Sequence, residues 1–164
     1  MDFTNYANYH IWAGDKMREI LTDLPDHEYI YELNDFFSYK TIRVLIEHII
    51  LAIEFSIAIV KQKELEGFNK EVEEIVKLSN DKLLVQWKKT DQMYANLLKR
   101  DLSGEITVPN FLGKEFTINK SDFLLQYITH TTFHRGQLVL ALKKMGKELE
   151  GTDYLHYLYK IAKK

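Results

Sequence analysis

The sequence predicts an all-α fold, a four-helix bundle with a short β-hairpin or ordered loop before the fourth helix and a short C-terminal helix. Two observations support this class. The 164 residues include only 7 Gly and 2 Pro, so few positions interrupt a helix. Apolar residues recur at steps of three and four along four long segments, which is the period of helices with one buried face. The length and the absence of a linker or repeat predict one domain, residues 1–164.

The first predicted helix has one inward face and ends near the stop at Pro25. A connector rich in polar and aromatic residues follows, from about 26 to 37. Ser38 can cap the second helix, which runs to about Lys63. Because this second helix is apolar on nearly every side, we expect it to be the most enclosed. The inward face of the first helix comprises Phe3, Tyr6, His10, Ala13, Met17, Ile20, Leu21 and Leu24.

The third helix is predicted to follow Gly67, with Asn69 as its N-cap. It has one apolar stripe and is otherwise polar, so one face should be buried and the other solvated. The period then changes to two between 105 and 118, on either side of 110–113, which predicts the hairpin or ordered loop. The apolar stripe of the third helix comprises Val76, Leu83, Trp87, Tyr94, Leu97 and Leu98.

The fourth helix is predicted to begin at Asn119 or Ser121, to continue through Met145 and to stop at Gly146. A short terminal helix, from about 152 to 162, completes the chain.

Composition excludes several classes of protein. The chain contains no Cys, which rules out a disulfide framework, a Cys-rich zinc module, an iron–sulfur cluster and a cysteine nucleophile. The formal net charge is -2, the 22 Lys and Arg residues are spread along the chain, and we expect no nucleic-acid partner. The first five residues lack the basic start and apolar run of a signal peptide, so we expect a cytoplasmic protein.

The strongly apolar stretch from 44 to 60 resembles a membrane span at first sight. It contains Glu47, His48 and Glu54, and it is shorter than the roughly 20 apolar residues that a spanning helix needs. The stretch is therefore predicted to be a buried helix of a protein that does not enter the membrane.

Two histidines, His130 and His134, are four residues apart on the predicted fourth helix. At this spacing both imidazoles project from the same face, with Cβ atoms roughly 5–6 Å apart, and both can reach one metal ion. Apolar neighbours such as Tyr127 and Leu138 turn that face toward the bundle interior. The pair is thus a candidate for two ligands of a buried metal site.

His48 lies in the middle of the most apolar helix, where an imidazole without a partner would be an unsatisfied polar group. Two interpretations are open. His48 either bonds to a backbone carbonyl or to Glu47, or it supplies a third metal ligand from a helix adjacent to His130 and His134. Three neutral imidazoles would leave a coordination position for water or substrate, which is typical of catalytic rather than structural sites.

Several segments resemble the DinB/YfiT-like family of metalloenzymes. The most specific is HTTFHRGQ, residues 130–137, which resembles the family signature. Residues 38–48 are similar to the family's second helix, whose histidine is the first metal ligand. Residues 9–13 resemble its Tyr-Asn-x-Trp-Ala opening, with His10 in place of Asn, and residues 144–155 resemble its Gly-containing turn and Asp-Tyr-Leu tail.

The resemblance implies a four-helix bundle, usually dimeric, in which three histidines hold one nickel or zinc ion. On these residues the ligands would be His48, His130 and His134. Relatives in the superfamily include bacillithiol and mycothiol S-transferases and a thiol-dependent isomerase. The resemblance therefore implies a low-molecular-weight thiol and a small electrophile as partners, and a homodimer as the assembly.

Two classes of function remain open. One is a metal-dependent enzyme, either a thiol S-transferase or a hydrolase that uses metal-activated water. No Glu or Asp adjoins the paired histidines as a general base, which weakens hydrolysis more than thiol transfer, and no catalytic side chain is assigned. The other class is a non-catalytic, dimeric metal-binding bundle of a stress response. A pocket beside the ion that solvent can reach would favour catalysis.

The remaining polar residues have competing interpretations. Arg135 can anchor an anionic group or pair with Asp153 or another carboxylate, and a structural tether is favoured. Gln137 can accept a hydrogen bond from a metal-bound imidazole. Gly136 costs roughly 1 kcal/mol in a helix interior, which a close helix approach would offset. Structural or solvated roles are favoured for His10, which faces the core, and for His27 and His156.

Overall fold

The computed structural model describes residues 3–33, 39–63, 65–100, 102–109 and 114–163. It confirms the predicted mostly helical fold with one small antiparallel sheet. The elements in chain order are α1 (Thr4–Thr22), α2 (Asp26–Tyr29), α3 (Ile42–Val60), α4 (Leu65–Ile75), α5 (Asn80–Leu98), β1 (Glu105–Pro109), β2 (Glu115–Asn119), α6 (Lys120–Lys144) and α7 (Tyr154–Ala162).

Four long helices, α1, α3, α5 and α6, form the bundle. α5 packs against both α1 and α3, and α6 closes the ring by packing on α3 and α1. α7 lies outside this ring against α1. As the apolar pattern predicted, α3 is the most enclosed of the four long helices, with ten of its 19 residues buried, whereas α6 has ten of 25 buried. The side chains of α3 therefore face neighbours on several sides, and a polar group on it must find its partner within the bundle.

The start of α3 differs from the predicted cap at Ser38, which lies outside the described residues. Thr41 caps the helix instead, its side chain accepting a hydrogen bond from the Val44 amide at 3.2 Å. At the other end Gln62 adopts a positive φ of 52°, and the Lys63 amide returns to the Ala58 carbonyl at 2.9 Å. These contacts form a Schellman-type ending, which stops α3 at Val60 rather than Lys63.

The predicted third helix is wrong as a single element. α4 and α5 are separate, Asn69 lies within α4 rather than at its cap, and Ser79 is the N-cap of α5. The side chain of Arg43 on α3 stabilises the segment between α4 and α5 by donating hydrogen bonds to the carbonyls of Val76 and Leu78, at 3.2 and 2.7 Å. These carbonyls would otherwise belong to a continuing helix, so the break is stabilised by a contact that is distant in sequence.

The strands confirm the predicted hairpin. Ile106 pairs with Ile118 and Val108 with Phe116, while residues 110–113 of the predicted turn lie outside the described residues. α6 ends within a residue of the prediction, and Gly146 follows it with a φ of 78°, the left-handed geometry that favours glycine. The short α2 was not predicted; Tyr29 on it is buried and donates to the Leu21 carbonyl at 2.7 Å. No described helix has the length and apolar content that crossing a bilayer requires.

Gly136 in α6 does not mark a close helix approach, contrary to the compensation considered from the sequence. A Cβ built at this position meets nothing within 4 Å. Gly136→Ala should therefore increase the free energy of unfolding by up to about 1 kcal/mol, because alanine loses less conformational freedom in a helix. Urea denaturation measures the change. A loss of stability would show that another surface contacts this position.

Candidate metal centre

Three imidazoles meet inside the bundle, one from α3 and two from α6. His48, His130 and His134 each offer a ring nitrogen, and these three atoms all lie within 4.8 Å of one another. The Nε2 atoms of His48 and His130 are 3.0 Å apart, and the ring centroid of His134 is 4.5 Å from each of the other two. The structure therefore brings together the three residues that the sequence predicted as ligands.

The helices explain this arrangement. His130 and His134 are four residues apart and therefore share one face of α6. α6 packs on α3, and the apolar residues of α3 turn His48 toward the interior of the bundle. His134 is 4% exposed, and the other two rings are half-buried. One interpretation of His48 was a hydrogen bond to Glu47. The Glu47 carboxylate instead pairs with the Arg43 guanidinium at 2.9 Å, and the Nε2 atom of His48 faces His130.

Gln137 sets the tautomer of His134. Its Oε1 lies 2.8 Å from Nδ1 of His134, and an amide oxygen only accepts, so Nδ1 carries the hydrogen. Nε2 of His134 is then the lone-pair nitrogen that can face an ion. This contact has the form of the supporting hydrogen bond that metal-bound imidazoles commonly make, as the sequence suggested for Gln137.

All three imidazoles favour the neutral form. Burial lowers the pKa of His48 to about 4, with the neighbouring His134 and His130 adding to the effect. Burial also lowers the pKa of His130, with His134 contributing, and the pKa of His134, where the bond to Gln137 opposes the shift. Neutral imidazole is the form that binds metal, so the cluster is poised to bind a cation without first losing protons.

Uncharged aromatic side chains surround the cluster. The Tyr39 ring stacks on His48 at 4.3 Å and meets the edge of His134 at 5.6 Å. Phe133 lies at 5.0 Å from His134, and Tyr127 at 6.1 Å from His130. Burial raises the pKa of Tyr127 to about 12, so its hydroxyl is neutral. Within the described chain, no Asp or Glu oxygen joins the group of ligand atoms that the three histidines form.

His10 belongs to a different buried network, between α1 and α5. Its Nε2 is 2.8 Å from Oδ1 of Asp91, and Asp91 also accepts from Arg18 at 2.5 Å. Gly14 makes room for this network, since a Cβ there would stand 2.3 Å from the Asp91 carboxylate. The apolar period of α1 predicted that His10 faces the core, but no sequence pattern predicted its partners; Gly14 in the middle of the helix was the available signal.

The other candidate residues lie outside the cluster. His27 is exposed on α2, and His156 is exposed and pairs with Asp153 at the start of α7. Arg135 is 2% exposed and donates to the hydroxyls of Thr132 and Tyr9 at 2.8 and 3.3 Å.

Arg135 therefore acts as a tether and not as the partner of Asp153. The Tyr9 hydroxyl that receives its hydrogen bond donates in turn to the Thr152 carbonyl at 3.1 Å. This chain of contacts links α6 to α1 and to the segment before α7. The Asp153 carboxylate instead caps α7 by accepting from the amides of Leu155 and His156.

A large cleft among the described residues lies away from the histidine cluster. It has a volume of about 1040 Å³ and is bordered by α1, α5 and the start of α3, including Asp15, Arg18 and Arg43. No histidine lines it. Arg18 pairs with Asp91 and Asp15, and Arg43 pairs with Glu47. The cleft therefore lies between helices joined by ion pairs and is separate from the histidine cluster.

The fold and the site together define a helical bundle with three inward histidines, contributed by two helices, that could hold one metal ion. The model of the DinB family matches residues 1–163, and the chain belongs to that family.

The chain is also similar to "Protein DinB" of Bacillus subtilis (strain 168), with 23% identity over an alignment of 165 residues. The alignment covers 92% of this chain and 90% of that protein. A solved DinB-family structure from Exiguobacterium sibiricum has a TM-score of 0.68 at 16% identity, covering 92% of this chain and 97% of that one. A DinB-like protein from Bacillus cereus has a TM-score of 0.60 at 19% identity, covering 85% and 90%. These two structures support the fold.

Proposed function

We propose that the protein is a metal-dependent enzyme that binds one divalent ion, nickel or zinc, through His48, His130 and His134, and that it transfers a low-molecular-weight thiol to a small electrophile. The observation that carries the proposal is the convergence of three ring nitrogens within 4.8 Å from two helices.

The residues present fit such an ion. Imidazole suits zinc and nickel, and the lowered pKa values keep these three imidazoles in the metal-binding form. Three protein ligands, with no further carboxylate among the described residues of the cluster, are typical of sites that leave a position for substrate.

A divalent ion held there would acidify a bound thiol, so that its sulfur attacks as a thiolate at neutral pH. In such a transfer the sulfur would form a bond to the electrophilic carbon, the halide or other leaving group would depart with its electron pair, and the thiol proton would pass to solvent. Gln137 would hold the orientation of the His134 ring, and the rings of Tyr39 and Phe133 lie against the cluster.

Thiol transfer is favoured over hydrolysis by what surrounds the cluster. A metal-activated water usually needs a neighbouring base to take its proton, and no described carboxylate oxygen belongs to the group of ligand atoms that the three rings form. A thiol is acidic enough to ionise without such a base. The competing class, a non-catalytic dimeric bundle of a stress response, predicts a bound metal and no turnover.

The test combines elemental analysis with a conjugation assay. Purified protein should hold close to one divalent ion per chain, and His130→Ala should lose it, while His27→Ala on exposed α2 should keep it. Loaded protein is then mixed with a panel of cellular thiols and 1-chloro-2,4-dinitrobenzene, and thioether formation is followed by absorbance. Conjugation that requires both metal and His130 supports the proposal. Full loading without conjugation by any thiol would reject the transferase and leave the non-catalytic bundle.

The affinity for the divalent ion should persist at a lower pH than it would at a site of solvent-exposed histidines. Protons compete with metal only when the imidazoles charge, and burial has moved the pKa of His48 to about 4 and those of its neighbours below the usual 6.5. Affinity should therefore change little between pH 8 and 6.5 and fall as the pH approaches 4. Titrations at several pH values measure it. A decline centred at 6.5 would indicate solvated histidines.

A further inference from the structure

Two aromatic side chains border the histidine cluster, and we name them the aromatic rim: Tyr39, which precedes α3, and Phe133 of α6. The Tyr39 ring is stacked on the His48 ring, with an interplanar angle of 26°. It makes an edge-to-face contact with the His134 ring, with an interplanar angle of 65°. Phe133 meets His134 at 76°. Both rings therefore touch His134, the most buried of the three candidate ligands.

Neither rim residue is fully buried, although Tyr39 packs against the edge of the core. Phe133 is 61% exposed, and Tyr39 is partly exposed. The recorded contacts of Tyr39 are made by its ring, and its hydroxyl has no hydrogen-bond partner within the described chain. Single exposed aromatics are ordinary on protein surfaces. Here two partly exposed aromatic side chains contact the same candidate metal ligand, His134.

Within the described part of the chain, the ring contacts and hydrogen bonds of the three imidazoles involve no charged side chain. The side chains recorded against the three imidazoles are Tyr39, Tyr127, Phe133 and Gln137, all of them uncharged. The nearest acidic residue in sequence, Glu47, is held by Arg43. A charged substrate group would have no described partner here, whereas a planar ring can stack on, or meet the edge of, either rim residue.

We propose that the aromatic rim makes the site selective for a planar, uncharged, aromatic or conjugated group beside the free coordination position. This inference rests on the metal site of the proposed function and names the class of electrophile that the site takes. Ligand pockets commonly combine aromatic walls with a few fixed polar atoms, and here the imidazoles supply the polar part. Tyr39 and Phe133 are specificity residues in this account.

Binding of matched hydroxamates to the cobalt(II)-loaded protein tests the rim without relying on turnover. Acetohydroxamate, cyclohexanecarbohydroxamate and benzohydroxamate carry the same metal-binding group, and visible absorption of the cobalt reports their dissociation constants. Benzohydroxamate should bind about tenfold more tightly than acetohydroxamate, and also more tightly than the cyclohexane compound, because only its ring is planar. Equal affinities for the cyclohexane and benzene compounds would overturn the proposal.

Variants assign the preference to the rim. Tyr39→Leu and Phe133→Leu keep apolar bulk but remove a ring, and each should reduce the ratio of acetohydroxamate to benzohydroxamate dissociation constants severalfold. Tyr39→Phe should keep the ratio, since the hydroxyl has no described partner. Leu140→Ala, on the exposed surface of the same helix, is the matched control and should also keep it. A ratio that neither leucine variant changes would contradict the assignment.

The outcomes separate this inference from the proposed function. If the protein binds no cobalt, the metal site fails and the rim with it. If cobalt binds and the three hydroxamates are not distinguished, only the rim is rejected. If the aromatic preference appears in a protein that conjugates no thiol, the rim stands and thiol transfer falls.

Discussion

Replacing His134 with alanine is expected to weaken binding of the divalent ion by more than about tenfold, since loss of even a supporting residue commonly costs 10–100-fold. His134 is 4% exposed, and the described residues around the cluster offer no fourth His, Asp or Glu to replace it. Competition with a chromophoric chelator measures the dissociation constant.

Two further variants calibrate the result of His134→Ala. Gln137→Leu should weaken binding by less, because it removes the hydrogen bond that orients His134 and leaves all three nitrogens in place. His156→Ala changes an exposed histidine outside the cluster and should leave the affinity unchanged. If His134→Ala bound the ion as tightly as the unaltered protein, while circular dichroism showed an intact fold, His134 would not be a ligand.

Asp91→Asn should produce the largest loss of stability, roughly 3 kcal/mol or more. Asp91 is 1% exposed and accepts from both His10 and Arg18. Burial alone would raise the pKa of Asp91, but His10 and Arg18 outweigh it and hold that pKa below its usual value, so the carboxylate stays charged. An amide cannot supply that charge, and the enclosed Arg18 guanidinium would lose its buried counter-ion.

Asp15 provides the matched control for this network. It pairs with the same Arg18 at 2.8 Å, but its side chain is 42% exposed. Asp15→Asn should therefore cost less than about 1 kcal/mol. Urea denaturation at pH 7 compares the two variants. Equal losses would show that burial of Asp91 carries no special weight, and an Asp91→Asn variant as stable as the parent would contradict the role given to the network.

Local sequence patterns were sufficient for most elements of the fold. The apolar residues change from a helical spacing of three to four to an alternation of every second residue, and this change located the hairpin. Gly146 marked the end of α6 because the residue after the helix adopts a left-handed backbone conformation, which glycine favours. The break between α4 and α5 was missed for a physical reason. The apolar stripe continues from Val76 to Leu83 at helical spacing, and the contacts that hold the break come from Arg43, far away in sequence.

The histidine cluster could be predicted because its signals are local or compositional. The pair on α6 has ligand spacing, and His48 is polar within an apolar helix. The pairing of His10 with Asp91 spans 81 positions, and no period records such a contact. The aromatic rim was missed because Phe133 looks like any apolar helix residue, and only the orientation of α6 on α3 shows it to be exposed.

X-ray absorption spectroscopy of the nickel- or zinc-loaded protein tests most directly whether one ion is shared by α3 and α6. The account predicts three imidazole nitrogens in the first coordination shell, at about 2.0–2.1 Å for zinc. His48→Ala should reduce that number to two. A shell with two or fewer imidazoles in the unaltered protein, or one that His48→Ala leaves unchanged, would contradict the three-histidine centre.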